Sequence, residues 1–131
     1  MKFLGTGSAL PKKVVSNDDL AQVMDTSDEW IRSRTGIGMR HIAVEETTTS
    51  MAVEAAEKAL ADAKISGCEI DLIIAGTISP DYIFPSLACE VQAAIGAKSA
   101  TAFDLSAGCS GFLFALANSK VCSKQLEILS A

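Results

Sequence analysis

Small apolar residues recur through the middle of the chain at the period of a helix. Ala52, Ala55, Ala56, Ala59, Leu60 and Ala63 fall at i, i+3, i+4, i+7, i+8 and i+11. That narrow stripe predicts a helix with one tightly packed face. The polar run at 47–50 caps it, and Glu54 and Lys58 form an i,i+4 pair on its outer side. Residues 71–78 (DLIIAGTI) are instead a continuous apolar run, the mark of a buried strand. A further helix is predicted over 86–95, closed by Gly96. A second strand follows at 100–105, and Ser106-Ala107-Gly108 then leads into an apolar helix from about Cys109 to Asn118.

The first third of the chain is more punctuated. Residues 3–9 start as a strand that breaks at Gly5, Gly7 and Pro11. Asn17-Asp18-Asp19 reads as an N-cap with acid in the first turn, opening a short helix to about Met24. Thr26-Ser27-Asp28-Glu29 has the form of a capping box (Thr, two residues, Glu) and starts a helix through Arg34. Gly36 and Gly38 punctuate, and residues 39–44 predict a strand. Alternating strands and helices imply an α/β architecture. No internal repeat, low-complexity segment or linker interrupts it, so residues 1–131 are expected to form one domain.

Composition narrows the class. The chain is 49% hydrophobic and 21% charged, as soluble globular proteins are, and its apolar content is rich in Ala and poor in aromatics. That balance favours close-packed helices over a β-sandwich. Sixteen acidic against 11 basic residues give a net charge of −5, and no basic run exceeds Lys12-Lys13, which argues against a nucleic-acid partner. No apolar stretch approaches the roughly 18 residues of a membrane span, and the start turns polar at Gly5, too early for a secretory segment. Cys68, Cys89, Cys109 and Cys122 form no C-x-x-C pair, so no zinc cage or redox motif is suggested and no metal is expected. Reduced thiols in a cytosol are the expectation.

Two segments carry candidate chemistry. In Ser106-Ala107-Gly108-Cys109-Ser110-Gly111-Phe112 a cysteine sits at a strand-to-helix turn between glycines. A thiol at a helix N-terminus feels the positive end of the helix dipole, and such positions lower a cysteine pKa from about 8.5 to roughly 3.5–7.5. The Cys109 N–H is also a candidate oxyanion donor. A buried structural cysteine fits the same helix, as free cysteines often do, and the other three are read as structural. In Asp28-Glu29-Trp30-Ile31-Arg32-Ser33-Arg34, Trp30 and Arg34 share a helix face four residues apart. An indole and a guanidinium can sandwich a flat heterocycle, and the guanidinium also pairs with phosphate, as a nucleotide-bearing ligand such as coenzyme A requires. The alternative is that the lone Trp anchors the core and the arginines are solvated. Gly5-Thr6-Gly7-Ser8-Ala9-Leu10 begins like a dinucleotide fingerprint, but Leu10 stands in the third glycine's place and Pro11 follows. His41, the only histidine, reads as structural.

Taken together the motifs resemble the β-ketoacyl-acyl-carrier-protein synthase III family. Gly5-Thr6-Gly7-Ser8 with Pro11, Asp25-Thr26-Ser27-Asp28-Glu29-Trp30-Ile31, Arg34-Thr35-Gly36-Ile37, Phe84-Pro85-Ser86 and Gly108-Cys109-Ser110-Gly111-Phe112 match in order and spacing, from the first residue to about Asn118. The tryptophan motif separates this family from thiolases and from elongating synthases. The resemblance implies the N-terminal half of a thiolase-like α/β fold, a mixed β-sheet covered by helices with an apolar helix after the cysteine turn. It implies an acyltransferase that starts fatty-acid synthesis. Cys109 would take a short acyl group from acyl-CoA and pass it to the carbanion left when malonyl-acyl-carrier protein loses carbon dioxide. Trp30 would stack on adenine, Arg34 would meet the nucleotide phosphate with Thr26 nearby, and Phe84 would reach across a homodimer interface to the partner's acyl pocket. Acyl-CoA is then a substrate, and no separate cofactor is implied.

The match also has an edge. Family members have two similar α/β halves, and the histidine and asparagine that promote decarboxylation, with a second oxyanion donor, lie in the half not represented here. His41 does not match that histidine, and residues 121–131 (VCSKQLEILSA) leave the family pattern. A truncated or split gene product is the expectation. The alternative to a working enzyme is a non-catalytic fragment that binds coenzyme A or dimerises with a complementary chain. A plant-type polyketide or hydroxymethylglutaryl synthase shares the fold, but the Trp30–Arg34 motif argues against it.

Overall fold

The computed structural model describes residues 2–122, so all but the first two residues of the divergent tail lie outside the described part. The chain divides into two compact units, Leu10–Glu46 and the remainder. In chain order the elements are β1 (Lys13–Ser16), α1 (Asn17–Ala21), α2 (Asp28–Thr35), β2 (Met39–Ile42), α3 (Thr48–Ala63), β3 (Leu72–Gly76), α4 (Leu87–Ala94), β4 (Thr101–Leu105) and α5 (Gly111–Cys122).

The larger unit is built on β3. This strand pairs in parallel with β4, Leu72 opposite Thr101 through Gly76 opposite Leu105, and α4 forms the connection. Its side chains alternate between two apolar clusters, as period-2 geometry requires. Ile73 and Ala75 pack with Ala52 and Ala56 of α3 and Leu87, Ala88 and Val91 of α4. Leu72 and Ile74 pack with Ala115 of α5. Helices therefore cover β3 from both sides, which is why its sequence is a run rather than an alternation.

The alanine stripe of α3 behaves as its period demands: Ala52, Ala55, Ala56 and Ala59 are buried, while Glu54 and Lys58 pair at 2.6 Å outside. Residues 3–9 form no strand. They lie against α3, where a Cβ on Gly5 would stand 2.5 Å from Ala59 O and one on Gly7 would run into Ala55 O and Ala59 N. Thr6 N–H donates to Asp62 at 2.9 Å, and Lys58 Nζ donates to Ser8 O at 2.9 Å. The two glycines thus give close approach to a helix, not a phosphate loop. In α5 a small-residue stripe, Gly111, Ala115 and Ser119, is buried, whereas Phe112, Leu113 and Phe114 stay exposed in this chain.

The smaller unit has a two-stranded antiparallel ribbon, β1 with β2, Lys13 opposite Ile42 through Ser16 opposite Met39. Strand β1 is absent from the pattern reading because its Val14 is exposed and the segment shows no apolar alternation. Both helix starts shift by one residue from the sequence expectation. The cap of α1 is Ser16, boxed reciprocally with Asp19, and that of α2 is Ser27, whose Oγ accepts from Trp30 N–H at 3.1 Å. Gly36 ends α2 in the left-handed region, φ 73°.

The two-sided burial of β3 predicts an unequal pair of substitutions. Ile73 is 2% exposed and Ile83 fully exposed. Ile73→Ala should cost about 2–5 kcal/mol by urea unfolding, and Ile83→Ala less than about 0.5. Equal effects would show that the β3 core is not what holds the unit together.

Candidate active site

The cysteine turn is assembled from the end of β4. After Leu105 the chain passes through Gly108 at φ 51°, a left-handed conformation that a side chain rarely tolerates, and enters a single 3-10 turn, Gly108–Ser110, before α5. The first hydrogen bond of that turn runs from Ser110 N–H to Ala107 O at 3.1 Å, so the N–H of Cys109 precedes it. Cys109 is exposed and free. The expectation of a helix beginning at Cys109 is corrected by two residues: the thiol belongs to the tight turn, and Gly111 is the first α-helical residue. Of the other thiols, Cys68 and Cys122 are exposed and Cys89 is half-buried, with its Sγ 3.8 Å from Ala102 O.

Two carboxylates that sequence reasoning passed over anchor β4, which leads into this turn, and the loop that precedes α4. Asp104, on β4, accepts the N–H groups of Leu87 and Ala88, each at 2.8 Å, in the first turn of α4. A charge inside an otherwise apolar strand was the available signal, since Asp/Glu are rarely kept in such a place unpaired. Asp81 accepts Thr49 N–H at 2.7 Å and Thr48 N–H at 3.1 Å at the start of α3, and Thr48 Oγ1 donates to Ser79 O at 3.1 Å. Between these two anchors the chain carries Tyr82, Ile83 and Phe84 outward, Phe84 being 89% exposed. Phe84 is thus presented on a loop tied at both ends.

The second group of predicted residues lies in the smaller unit. Trp30 and Arg34 do share a face of α2, and the guanidinium carbon sits 4.4 Å above the indole centroid. The two are stacked on each other, so the slot expected between them is closed, and a flat ring would stack on the outside or part them. Arg32 turns to Asp28 instead, with Nε 2.8 Å from its carboxylate. Thr26 lies just ahead of the Ser27 cap. His41 Nδ1 is 2.6 Å from Pro11 O, a bond in which the ring N–H donates, consistent with a structural role. Thr26, Trp30 and Arg34 therefore belong to one unit, and Phe84 and Cys109 to the other. Among the described residues there is no cluster of His, Cys, Asp or Glu fit to hold a metal ion, and no helix long and apolar enough to cross a membrane.

A strand, a left-handed glycine and an exposed cysteine ahead of an apolar helix, on a parallel β-α-β frame, define the thiolase-like fold of condensing enzymes, and solved structures agree. The chain superposes on 3-oxoacyl-[acyl-carrier-protein] synthase III of Aquifex aeolicus with a TM-score of 0.88 and 54% identity, over 92% of this chain and 39% of that one. It is 52% identical over 136 aligned positions to the β-ketoacyl-[acyl-carrier-protein] synthase III of Xylella fastidiosa, spanning 99% of this chain and 42% of the relative. It is 60% identical over 111 positions to the enzyme of that name from Streptococcus suis, spanning 85% and 34%. No family model matches. The chain is a relative of the β-ketoacyl-[acyl-carrier-protein] synthase III enzymes and spans about a third to two-fifths of the length of these relatives.

The Asp81 anchor gives a pH dependence with a definite sign. Its backbone and hydroxyl hydrogen bonds, those from Thr49 foremost, hold the carboxyl down to about 2, against an ordinary 3.8. A depressed folded-state pKa means the anchor is intact above about 4 and is lost as pH falls toward 2. Cutting by an acid-active protease at 82–84, relative to cutting elsewhere, should rise as pH drops through that window. Asp81→Asn should be cut readily at both ends of it. A flat profile in the unsubstituted chain would show that Asp81 does not hold the loop.

Proposed function

We propose that this chain carries the acyl-accepting step of a β-ketoacyl-acyl-carrier-protein synthase III, the reaction that starts fatty-acid synthesis. The observation that carries the reading is Cys109 exposed on a tight turn between β4 and α5, reached through a left-handed glycine. In the step, the Cys109 sulfur attacks as thiolate on the carbonyl carbon of a short acyl-CoA thioester. The Cys109 N–H, ahead of the first hydrogen bond of its turn, is the candidate donor to the oxyanion. Collapse breaks the carbon–sulfur bond to coenzyme A, whose sulfur leaves and takes up the proton the cysteine gave away. An acyl-cysteine remains, to be passed to the carbanion formed when malonyl-acyl-carrier protein loses carbon dioxide.

Coenzyme A recognition is assigned to Trp30 and Arg34, with Thr26 beside the α2 cap. The adenine takes the exposed side of the indole and a phosphate takes the guanidinium. Phe84, on its anchored loop, is assigned to a contact with a second copy of the chain, and the setting to the cytoplasm. Acyl-CoA enters as substrate, and the scheme uses no cofactor or metal.

A second reading has its own support. With Phe112, Leu113 and Phe114 exposed on α5, the chain fits a fragment that associates with a complementary partner rather than turning over alone. One assay separates the two. Mixed with acetyl-CoA, the chain should release about one equivalent of free coenzyme A in a burst, and Cys109→Ala should release none. Continued release on adding malonyl-acyl-carrier protein is the result of a complete enzyme; a burst alone is that of the acyl-accepting step. No burst leaves only the fragment reading.

A further inference from the structure

The unit Leu10–Glu46 has almost nothing apolar inside it. Among its described residues Asn17 is the only buried one, at 1% exposure, while Trp30, Ile37, Met39 and Ile42 are all exposed. With so small an apolar core, polar ties matter more: beside the β1–β2 ladder and the half-buried Val15, Leu20 and Ile31, the amide of Asn17 joins the parts of the unit. Its Nδ2 donates to Asp28 Oδ1 at 2.7 Å and to Ile37 O at 2.8 Å. Its Oδ1 accepts from Arg40 Nη2, and Arg40 Nη1 also donates to Val15 O at 3.1 Å. Its backbone N–H reaches Gly38 O at 3.3 Å.

These partners are not scattered. Asp28 is the first residue of α2, and Ile37 follows directly on Gly36, which caps the far end of that helix. One amide therefore grips α2 at both ends and, through Arg40, ties it to β1 and β2. The Asn17 hydrogen bond is also the largest influence holding the Asp28 carboxyl below its usual range, with Arg32 adding to it. Asp28 stays ionised, able to accept from Asn17 and Arg32 together.

We propose that Asn17 is a positioning residue that sets the helix carrying Trp30 and Arg34, and so governs coenzyme A affinity without touching the ligand. The inference rests on the assignment of coenzyme A to those two side chains. An amide suits the role where no other side chain of similar size does, because it offers two donors and an acceptor on one planar group. A carboxylate would keep the acceptor for Arg40 but face Asp28 as a like charge.

The test uses the full chain and coenzyme A, with Trp30, the only tryptophan, as reporter. Three substitutions are compared, Asn17→Ala, Asn17→Asp and Arg34→Ala, each by fluorescence titration and by hydrogen exchange over 28–38. Losing a buried charged hydrogen bond and its neighbour should raise the half-saturating coenzyme A concentration about tenfold to a hundredfold in both Asn17 variants. Exchange over 28–38 should quicken, with exchange in α3 and β3 unchanged. In the acetyl-CoA burst, the rate at saturation should hold while the half-saturating concentration rises, a split that general destabilisation does not give. Unchanged affinity with unchanged exchange overturns the proposal, and so does loss of protection across the whole chain in both variants. If the unsubstituted chain gives no response to coenzyme A, the ligand assignment fails, and unchanged exchange over 28–38 in the Asn17 variants would then overturn the positioning role separately.

Discussion

Burial of β3 on both faces is the constraint on which the larger unit depends. A parallel strand with helices above and below has no solvent side, so each of Leu72, Ile73, Ile74 and Ala75 must meet an apolar partner. Each large side chain in that position contributes roughly 1.5–3 kcal/mol, more than any single surface contact in the chain. The small residues facing it follow from the same requirement. Alanines on α3, and Gly111, Ala115 and Ser119 on α5, let the helices come close enough to leave no gap. With β3 fixed, its neighbour β4 is fixed by register, and the turn that carries Cys109 begins where β4 ends.

Polar anchoring then finishes what apolar packing starts. Asp104 ties β4 to the first turn of α4, and Asp81 ties the preceding loop to the first turn of α3. In both cases a carboxylate meets N–H groups that a helix start leaves without intrahelical partners, where its charge also suits the helix dipole. The apolar residues between the anchors, Tyr82 to Phe84, are thereby offered outward instead of collapsing onto the core. The smaller unit takes this logic further, with a buried asparagine joining its parts.

The sequence carried the periodic elements well and the long-range ones poorly. The α3 stripe and the β3 run follow from period and burial alone, and the structure has both. The caps of α1 and α2 were off by one, because Ser16 and Asn17, or Thr26 and Ser27, are equally able to cap and only geometry chooses. Residues 3–9 read as a strand but pack on α3, since Gly5 and Gly7 permit a closer contact with a helix than a ladder needs. Cys109 was visible as a cysteine between glycines after an apolar strand. The anchors were not, because Asp81 reaches residues 32 and 33 positions away and Asp104 residues 16 and 17 away. The Trp30–Arg34 pairing was legible from spacing, whereas the direct stack that closes the space between them was not.

The central claim is that the turn after β4 makes Cys109, alone among four thiols, an acyl acceptor. Peptide mass mapping after brief exposure of the folded chain to acetyl-CoA tests it most directly. The account predicts a single acetyl group on the peptide containing Cys109, absent when the chain is first unfolded in urea, with Cys68, Cys89 and Cys122 unmodified. Acetylation spread over the exposed cysteines, or found equally in the unfolded chain, would contradict it.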